Sequence, residues 1–343
     1  MAGSRADRPA PAVAGAQISQ AISAEVPVID VGPLLAGTPG ALAVAAGQFL
    51  RACNEVGFFF IVNHGLDPTL IEQSFSASRA LFGLPQAAKM RVAMNEHQCG
   101  FQPSKVAINR MGLGDGSLAK ANANEAFKYT HDLPPTHPGY RGSKRFVGHN
   151  QWPDDPPEGS RRVLQRYLAT FDGLGKRLLP MVAVALGQVP DFFNEPFAES
   201  SSVVRLAWYP VLPVDDDQFG SRAHTDMSFL TMIPPATAPG LQILLKDGSW
   251  VDQPVVPGGI IVNTGIALRR WANDRVIATP HRVMASRTGD RYSNIFFFYP
   301  SVDAVMAPIC APDTKPHYEP ITFSQHHAHY ASANFTYAER KAR

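Results

Sequence analysis

The sequence predicts a mainly β protein with flanking helices, a sandwich or double-sheet barrel preceded by a helix-rich segment. Short β-type runs split by turn residues fill the stretch from Ser202 to Tyr299. Apolar residues recur at helical spacing before it, between Leu42 and Leu186. No internal repeat divides the 343 residues, and β-rich units of roughly 200 to 250 residues fold as one domain.

Residues 1–24 are rich in Ala, Gly, Pro and Arg and show no core-forming period, so they read as a flexible tail. The first strand signal is Val26-Pro27-Val28-Ile29-Asp30. Leu42, Ala45, Ala46, Phe49, Leu50 and Cys53 then predict a helix that Gly57 ends, before the buried strand Phe58 to Val62. Leu70, Ile71, Phe75 and Leu81 predict a second helix, stopped by Gly83 and Pro85. Residues 95–160 hold many Gly, Pro and Asn and read as irregular loops with short strands. A long amphipathic helix is expected from Arg161 to Leu186, with Pro180 kinking it or starting a new one. The strands that follow are expected at Ser202 to Tyr209, Ser228 to Ile233, Leu241 to Leu245, Gly259 to Asn263, His281 to Ala285 and Tyr292 to Tyr299.

Composition narrows the function classes. With 31 basic and 29 acidic residues and no dense Lys/Arg run, the chain has no electrostatic footprint for nucleic acid or an anionic membrane. A small-molecule partner is expected, with no obligate protein partner evident. Cys53, Cys99 and Cys310 are odd in number and form no CxxC pair, which argues against a disulfide framework or a thiolate zinc site and for a cytoplasmic protein. No signal-peptide core is visible, and no run reaches the ~18 apolar residues of a membrane span.

The chemistry is carried by His224-Thr225-Asp226 at the entrance to a strand run, where side chains two apart share a face. A second β-type run starts at His281, and a strand beside the first would bring its imidazole to the same point. Two imidazoles and one carboxylate on one face of an octahedron suit non-haem Fe(II), with three positions left for a chelating 2-oxo acid and O₂. An isolated HxD is common and is more often a turn Asp beside a surface His, so context decides. Ten residues beyond His281, Arg291-Tyr292-Ser293 places a cation and a hydroxyl on one strand face, a pair suited to a carboxylate.

Over about Val26 to Pro300 the chain resembles the isopenicillin N synthase-like branch of the 2-oxoglutarate and iron(II)-dependent oxygenases. The resemblance rests on the order and spacing of Val26-Pro27-Val28-Ile29-Asp30, Gly57-Phe58-Phe59, Asn63-His64-Gly65, Arg205-Leu206, Tyr209-Pro210, His224-Thr225-Asp226, Gly240-Leu241-Gln242, Pro257-Gly258, Asn263-Thr264-Gly265, His281-Arg282-Val283, Arg291-Tyr292-Ser293 and Phe296-Phe297. It implies a distorted double-stranded β-helix, or jelly roll, with N-terminal helices packed outside. It implies one oxygenase domain over 25–343: a helix-rich part (25–190), an iron-binding core (191–305) and a C-terminal lid segment (306–343). It also implies that His224, Asp226 and His281 hold Fe(II), and that Arg291 and Ser293 hold the distal carboxylate of 2-oxoglutarate with Tyr209 nearby. The implied reaction couples decarboxylation of 2-oxoglutarate to succinate and CO₂ with hydroxylation, desaturation or cyclisation of a small organic metabolite by O₂.

Two positions depart from the pattern: Ala207 stands where many relatives have Asn, and Gly265-Ile266 where many have Gly-Asp. A same-fold iron oxidase independent of 2-oxoglutarate, with Arg291 and Ser293 on a substrate carboxylate, is the alternative within the class; a non-catalytic ligand-binding jelly roll is the alternative outside it. His64 reads as a turn residue remote from the metal. The group His326, His327 and His329 reads as a solvated helix face over the barrel mouth. Phe101, Arg110, Phe127, Lys128, Phe298 and Phe335 are the expected substrate contacts, for an apolar or aromatic compound of small to medium size with or without an anionic group.

Overall fold

The computed structural model describes residues 26–95, 97–104, 122–133, 136, 149–154, 158–212 and 219–334. The expected tail, Arg110 and Phe335 lie outside them. The chain starts with strand β1 (Val28–Asp30), short helix α1 (Gly32–Leu35), helix α2 (Ala41–Glu55) and strand β2 (Phe58–Val62). α2 buries Ala45, Ala46, Phe49, Ala52 and Cys53, the stripe its spacing predicts. Its end is set by Gly57, whose φ of +74° favours glycine. Helix α3 (Pro68–Phe82) begins under a cap in which Asp67 accepts from the Thr69 N–H at 2.9 Å. Helix α4 (Gln86–Arg91), strand β3 (Gly100–Gln102) and strand β4 (Glu125–Thr130) follow.

Helix α5 (Ser160–Ala185) runs through Pro180 without ending, so no new helix starts there. An interior proline withholds a backbone bond and costs roughly 3 kcal/mol. Here Leu178, Leu179, Met181 and Val182 around it are all buried and hold both halves on the core. The helix lies close on the sheet because Gly175 faces the Phe298 ring, which a methyl group would meet at 2.9 Å.

The remaining elements are β5 (Val203–Tyr209), β6 (Ser221–His224), β7 (Leu230–Ile233), β8 (Leu241–Leu244), β9 (Trp250–Asp252), β10 (Ile260–Thr264), α6 (Ile266–Trp271), β11 (His281–Val283), β12 (Arg291–Phe298), β13 (Val305–Met306), β14 (Ile321–Thr322) and α7 (Phe323–Asn334). β6, β9 and α6 escape the sequence reading because they are too short for a period to show.

Two sheets face each other, one in the order β1-β2-β10-β7-β12-β5-β4-β3 and one in the order β6-β11-β8-β9. Strand alternation sorts the side chains between two cores. Phe58, Phe60, Tyr209, Ile243, Val283 and Ile295 pack inside the barrel. Phe59, Ile61, Phe127, Phe296 and Phe298 point outward, to the core shared with α2, α3 and α5. This is the jelly roll with external N-terminal helices that the resemblance implies. Among the described residues no helix is long and apolar enough to cross a membrane, and Cys53, Cys99 and Cys310 are all free.

One buried carboxylate ties α5 to the loop before β5. Asp172 takes a hydrogen bond from the Ser200 hydroxyl, lies 3.0 Å from Lys176 Nζ and 3.7 Å from His131 Nε2. Burial alone would raise its pKa, but the neighbouring His131, the Ser200 hydroxyl and Lys176 outweigh it and take the group from 3.8 down to about 2. A depressed folded-state pKa stabilises the fold above the ordinary value, and that contribution disappears as pH falls through about 2. Asp172→Asn is therefore expected to lose about 2 kcal/mol at neutral pH, measured by urea unfolding. Wild type and variant should converge in acid. Parallel pH profiles would exclude this carboxylate as the source.

Candidate metal and 2-oxo acid site

β6 and β11 are antiparallel neighbours with His224 directly opposite His281, and their ring centroids are 4.4 Å apart. Asp226 lies two residues past β6 in the turn to β7. The expectation that His224-Thr225-Asp226 opens a strand is thus corrected: His224 closes one, and a turn rather than strand alternation brings Asp226 to the same side. That turn is pinned by the Ile266 N–H, which donates to the Asp226 carbonyl at 2.8 Å. It packs against Gly265, where any side chain would run into the Ser228 backbone.

Each ligand group is oriented by a second contact. Asp226 Oδ2 accepts from Thr231 Oγ1 at 2.7 Å and from Asn263 Nδ2 at 2.9 Å, leaving Oδ1 for the imidazoles. Oδ1 lies 3.7 Å from His224 Nε2 and 3.6 Å from His281 Nε2. His224 Nδ1 meets the Arg222 carbonyl at 2.7 Å and His281 Nδ1 meets the Thr279 carbonyl at 3.2 Å. A carbonyl can only accept, so both Nδ1 atoms carry a proton, and Nε2 is the ring atom each imidazole turns to the carboxylate and can offer to a metal. Burial, then the neighbouring His281, pushes the His224 pKa down and keeps the ring neutral, as a ligand must be. Burial alone would raise Asp226, but His281, His224 and its two hydrogen bonds outweigh it and hold the carboxyl ionised.

Among the described residues this is the one group of His, Cys, Asp or Glu able to share an ion, its ligand atoms all within 4.8 Å of one another. Two atoms each ~2.1 Å from one ion lie between about 3 and 4.2 Å apart, which brackets both measured separations. Two imidazoles and one carboxylate are the donor set of a non-haem Fe(II) centre, so the residues present fit that metal.

The metal cluster shares its cavity with Arg291. This guanidinium is buried, lies 4.9 Å over the Tyr209 ring and donates from Nε to the Ala238 carbonyl at 3.0 Å. Its Nη1 has no partner, and no carboxylate pairs with it among the described residues. Ser293, two residues along β12, faces the same cavity from opposite Ala207. Ala207 is fully buried beside Tyr209, so the departure from Asn removes a polar group from this wall.

Two segments of the chain match family descriptions. Residues 198–300 match the 2OG-Fe(II) oxygenase superfamily, and residues 26–155 match the non-haem dioxygenase in morphine synthesis N-terminal family. Gibberellin 20 oxidase 2 of Oryza sativa subsp. indica is 30% identical over 312 residues, 90% of this chain and 76% of the relative. The chain belongs to the 2OG-Fe(II) oxygenase superfamily. It is a dioxygenase that uses 2-oxoglutarate, Fe(II) and O₂ on a small metabolite. The 2-oxoglutarate-Fe(II) type oxidoreductase hxnY of Emericella nidulans is also 30% identical, covering 86% of each chain. A full-length Neurospora crassa protein in complex with alpha-KG superposes with a TM-score of 0.77 at 22% identity, over 90% of this chain and 96% of that one. JOX2 in complex with 2OG, Fe and JA gives 0.72 at 26% identity, over 89% and 84%.

Of the substrate contacts expected for this oxygenase, Lys128 lines the cavity. Phe101, Phe127 and Phe298 do not: all three are fully buried in the outer core. Period-two alternation is the reason, since on β4 Phe127 and Tyr129 face the helices while Lys128 faces inward, and on β12 Phe297 rather than Phe298 lines the cavity. His64 is structural, as expected: its Nε2 donates to the Gly258 carbonyl at 3.0 Å and its Nδ1 accepts from the Leu66 N–H at 3.1 Å. The face of α7 with Phe323, His327 and Tyr330 turns inward rather than to solvent. Phe323 and His327 are buried, His327 and Tyr330 line the cavity, and the Tyr330 hydroxyl donates to the Thr225 carbonyl at 2.9 Å.

Sequence reasoning missed Thr231 and Asn263, which orient Asp226, and Arg205, Gln102, Met227 and Tyr299, which line the cavity. A signal existed for two of them. Arg205 and Asn263 are polar residues inside otherwise apolar strand runs, and a buried polar group needs a partner.

Proposed function

We propose that His224, Asp226 and His281 hold the Fe(II), and that Arg291, with Ser293 and Tyr209, holds the distal carboxylate of 2-oxoglutarate. The observation that carries this reading is Arg291: a buried cation with a free Nη1 on the wall of the cavity that the metal cluster lines. Leaving such a charge unpaired is costly, and a carboxylate ligand removes the cost. Bound there, Fe(II) supplies the activation of O₂ that couples oxidation of 2-oxoglutarate to succinate and CO₂ with oxidation of a substrate C–H bond.

The chain's own residues bind, orient and exclude water. The Arg291 fork accepts one carboxylate through two parallel bonds, which fixes the co-substrate in one orientation toward the metal ligands. Thr231 and Asn263 hold Asp226 with one oxygen inward. α7 covers one side of the cavity through the Tyr330 bond to Thr225. Residues 25–343 act as one oxygenase domain in this reading, with 306–343 as the lid segment. Three free cysteines and a near-balanced charge support a cytoplasmic enzyme without nucleic-acid, membrane or obligate protein partners.

Anaerobically prepared protein given Fe(II), 2-oxoglutarate and then O₂, with no organic substrate, should release succinate slowly. Omission of any one of the three should abolish it. Succinate release that persists without added metal, or turnover of an organic substrate without 2-oxoglutarate, would refute the reading.

A further inference from the structure

The cavity holds a second cation, Arg205, besides Arg291. Arg205 sits on β5 opposite Ile295 of β12, while Arg291 sits opposite Tyr209 at the far end of the same strand pair. Four residues along a strand set the backbone positions of the two arginines roughly 13 Å apart, so they enter the cavity at different stations of the strand pair.

Arg205 is poorly matched in the free protein. Among the described residues its polar partner is buried Asn124, whose amide, oriented to donate to the Gly220 carbonyl at 3.1 Å, accepts from Arg205 at 2.5 Å. Among the described residues no carboxylate pairs with Arg205, and the one carboxylate lining the cavity is Asp226. Fe(II), ionised Asp226, Arg291 and dianionic 2-oxoglutarate together sum to zero charge, so Arg205 remains as an excess positive charge. Lys128, directly across from it on β4, lines the same cavity. The same cavity is also lined by apolar side chains, among them Val203, Met227, Ile295 and Phe297.

We propose that Arg205 anchors a carboxylate of the organic substrate, which makes that substrate a small carboxylic acid with an apolar body lying along β5 and β12. The planar fork suits a carboxylate, and the apolar wall suits the body it holds in front of the metal. This inference rests on the assignment of Arg291 to 2-oxoglutarate.

The test is calorimetric titration of the full chain, loaded anaerobically with Fe(II) and 2-oxoglutarate, with matched acid and amide probes: phenylacetate and phenylacetamide, cinnamate and cinnamamide, octanoate and octanamide. At least one acid should bind about tenfold or more tightly than its amide. Arg205→Gln should erase that difference, and Arg205→Lys should keep part of it. Equal binding of acid and amide in every pair, no binding by any acid, or an acid preference that survives Arg205→Gln would each overturn the proposal. So would a loss of 2-oxoglutarate affinity in Arg205→Gln, which would place Arg205 on the co-substrate. Should that variant not fold, the wild-type pairs and Arg205→Lys still decide. Titration of 2-oxoglutarate alone into metal-loaded wild type, with and without Arg291→Gln, reads the co-substrate assignment separately.

Discussion

Asp226→Ala is expected to abolish 2-oxoglutarate-dependent turnover while the chain still unfolds cooperatively. Removing an outer contact of a metal ligand costs roughly 10- to 100-fold in metal affinity or activity, so removing the carboxylate itself should weaken the ion by at least on the order of a hundredfold. Two fates compete for stability in the apo protein. Loss of a buried charge favours the variant, but the Thr231 hydroxyl and the Asn263 amide lose their acceptor, at roughly 1 to 3 kcal/mol for each unsatisfied donor. A net loss of a few kcal/mol is expected without metal. With metal the gap should widen, because ion binding stabilises only a protein that can hold it. The measurements are succinate release and thermal unfolding with and without added Fe(II) under anaerobic conditions. Full activity in the variant, or an equal metal-induced stabilisation in both proteins, would remove Asp226 from the centre. Asn263→Ala should fall between the two, since it frees the carboxylate to turn without deleting it.

The uneven legibility of this site has a physical basis. The Phe58 to Val62 and Tyr292 to Tyr299 runs are readable because alternation and burial act within a few residues. Which of their faces is the barrel interior is not, because that depends on pairing: β2 lies between β1 and β10, and β12 between β7 and β5. Phe298 is therefore expected on the cavity, where Phe297 sits instead. The meeting of His224 and His281 can be anticipated as strands side by side, yet the strand that carries His224 has only four residues and shows no period. Asn263 reaches Asp226 from strand β10, 37 residues away; its polarity within an apolar run marks it as needing a partner, but which partner depends on the pairing of β10 with β7. Pro180 misleads in the other direction. Its local penalty is real, and the burial of its neighbours overrides it.

Arg291→Gln should raise the 2-oxoglutarate requirement at least tenfold with the organic substrate saturating. The guanidinium is held by Tyr209 beneath it and by the Ala238 carbonyl, so it is already aimed before ligand arrives and little ordering cost is left for binding. Each charge-assisted bond to a carboxylate contributes roughly 1.5 to 3 kcal/mol, and glutamine can replace at most one of them without charge. Lysine restores charge but not the fork, so Arg291→Lys should recover only part of the affinity. A second readout separates binding from damage. Because Arg291 is buried without a carboxylate partner among the described residues, its neutral replacement removes an uncompensated charge, and the ligand-free variant should be no less stable than wild type. The stabilisation that 2-oxoglutarate confers should shrink by about 1.4 kcal/mol for each tenfold loss of affinity, at concentrations well above Kd. Thermal unfolding across a 2-oxoglutarate series measures both quantities in one experiment. An unchanged 2-oxoglutarate response would detach Arg291 from the co-substrate. If Arg291→Gln instead raised the requirement for the organic substrate, with turnover proceeding in the absence of 2-oxoglutarate, the arginine would belong to the substrate of an oxidase.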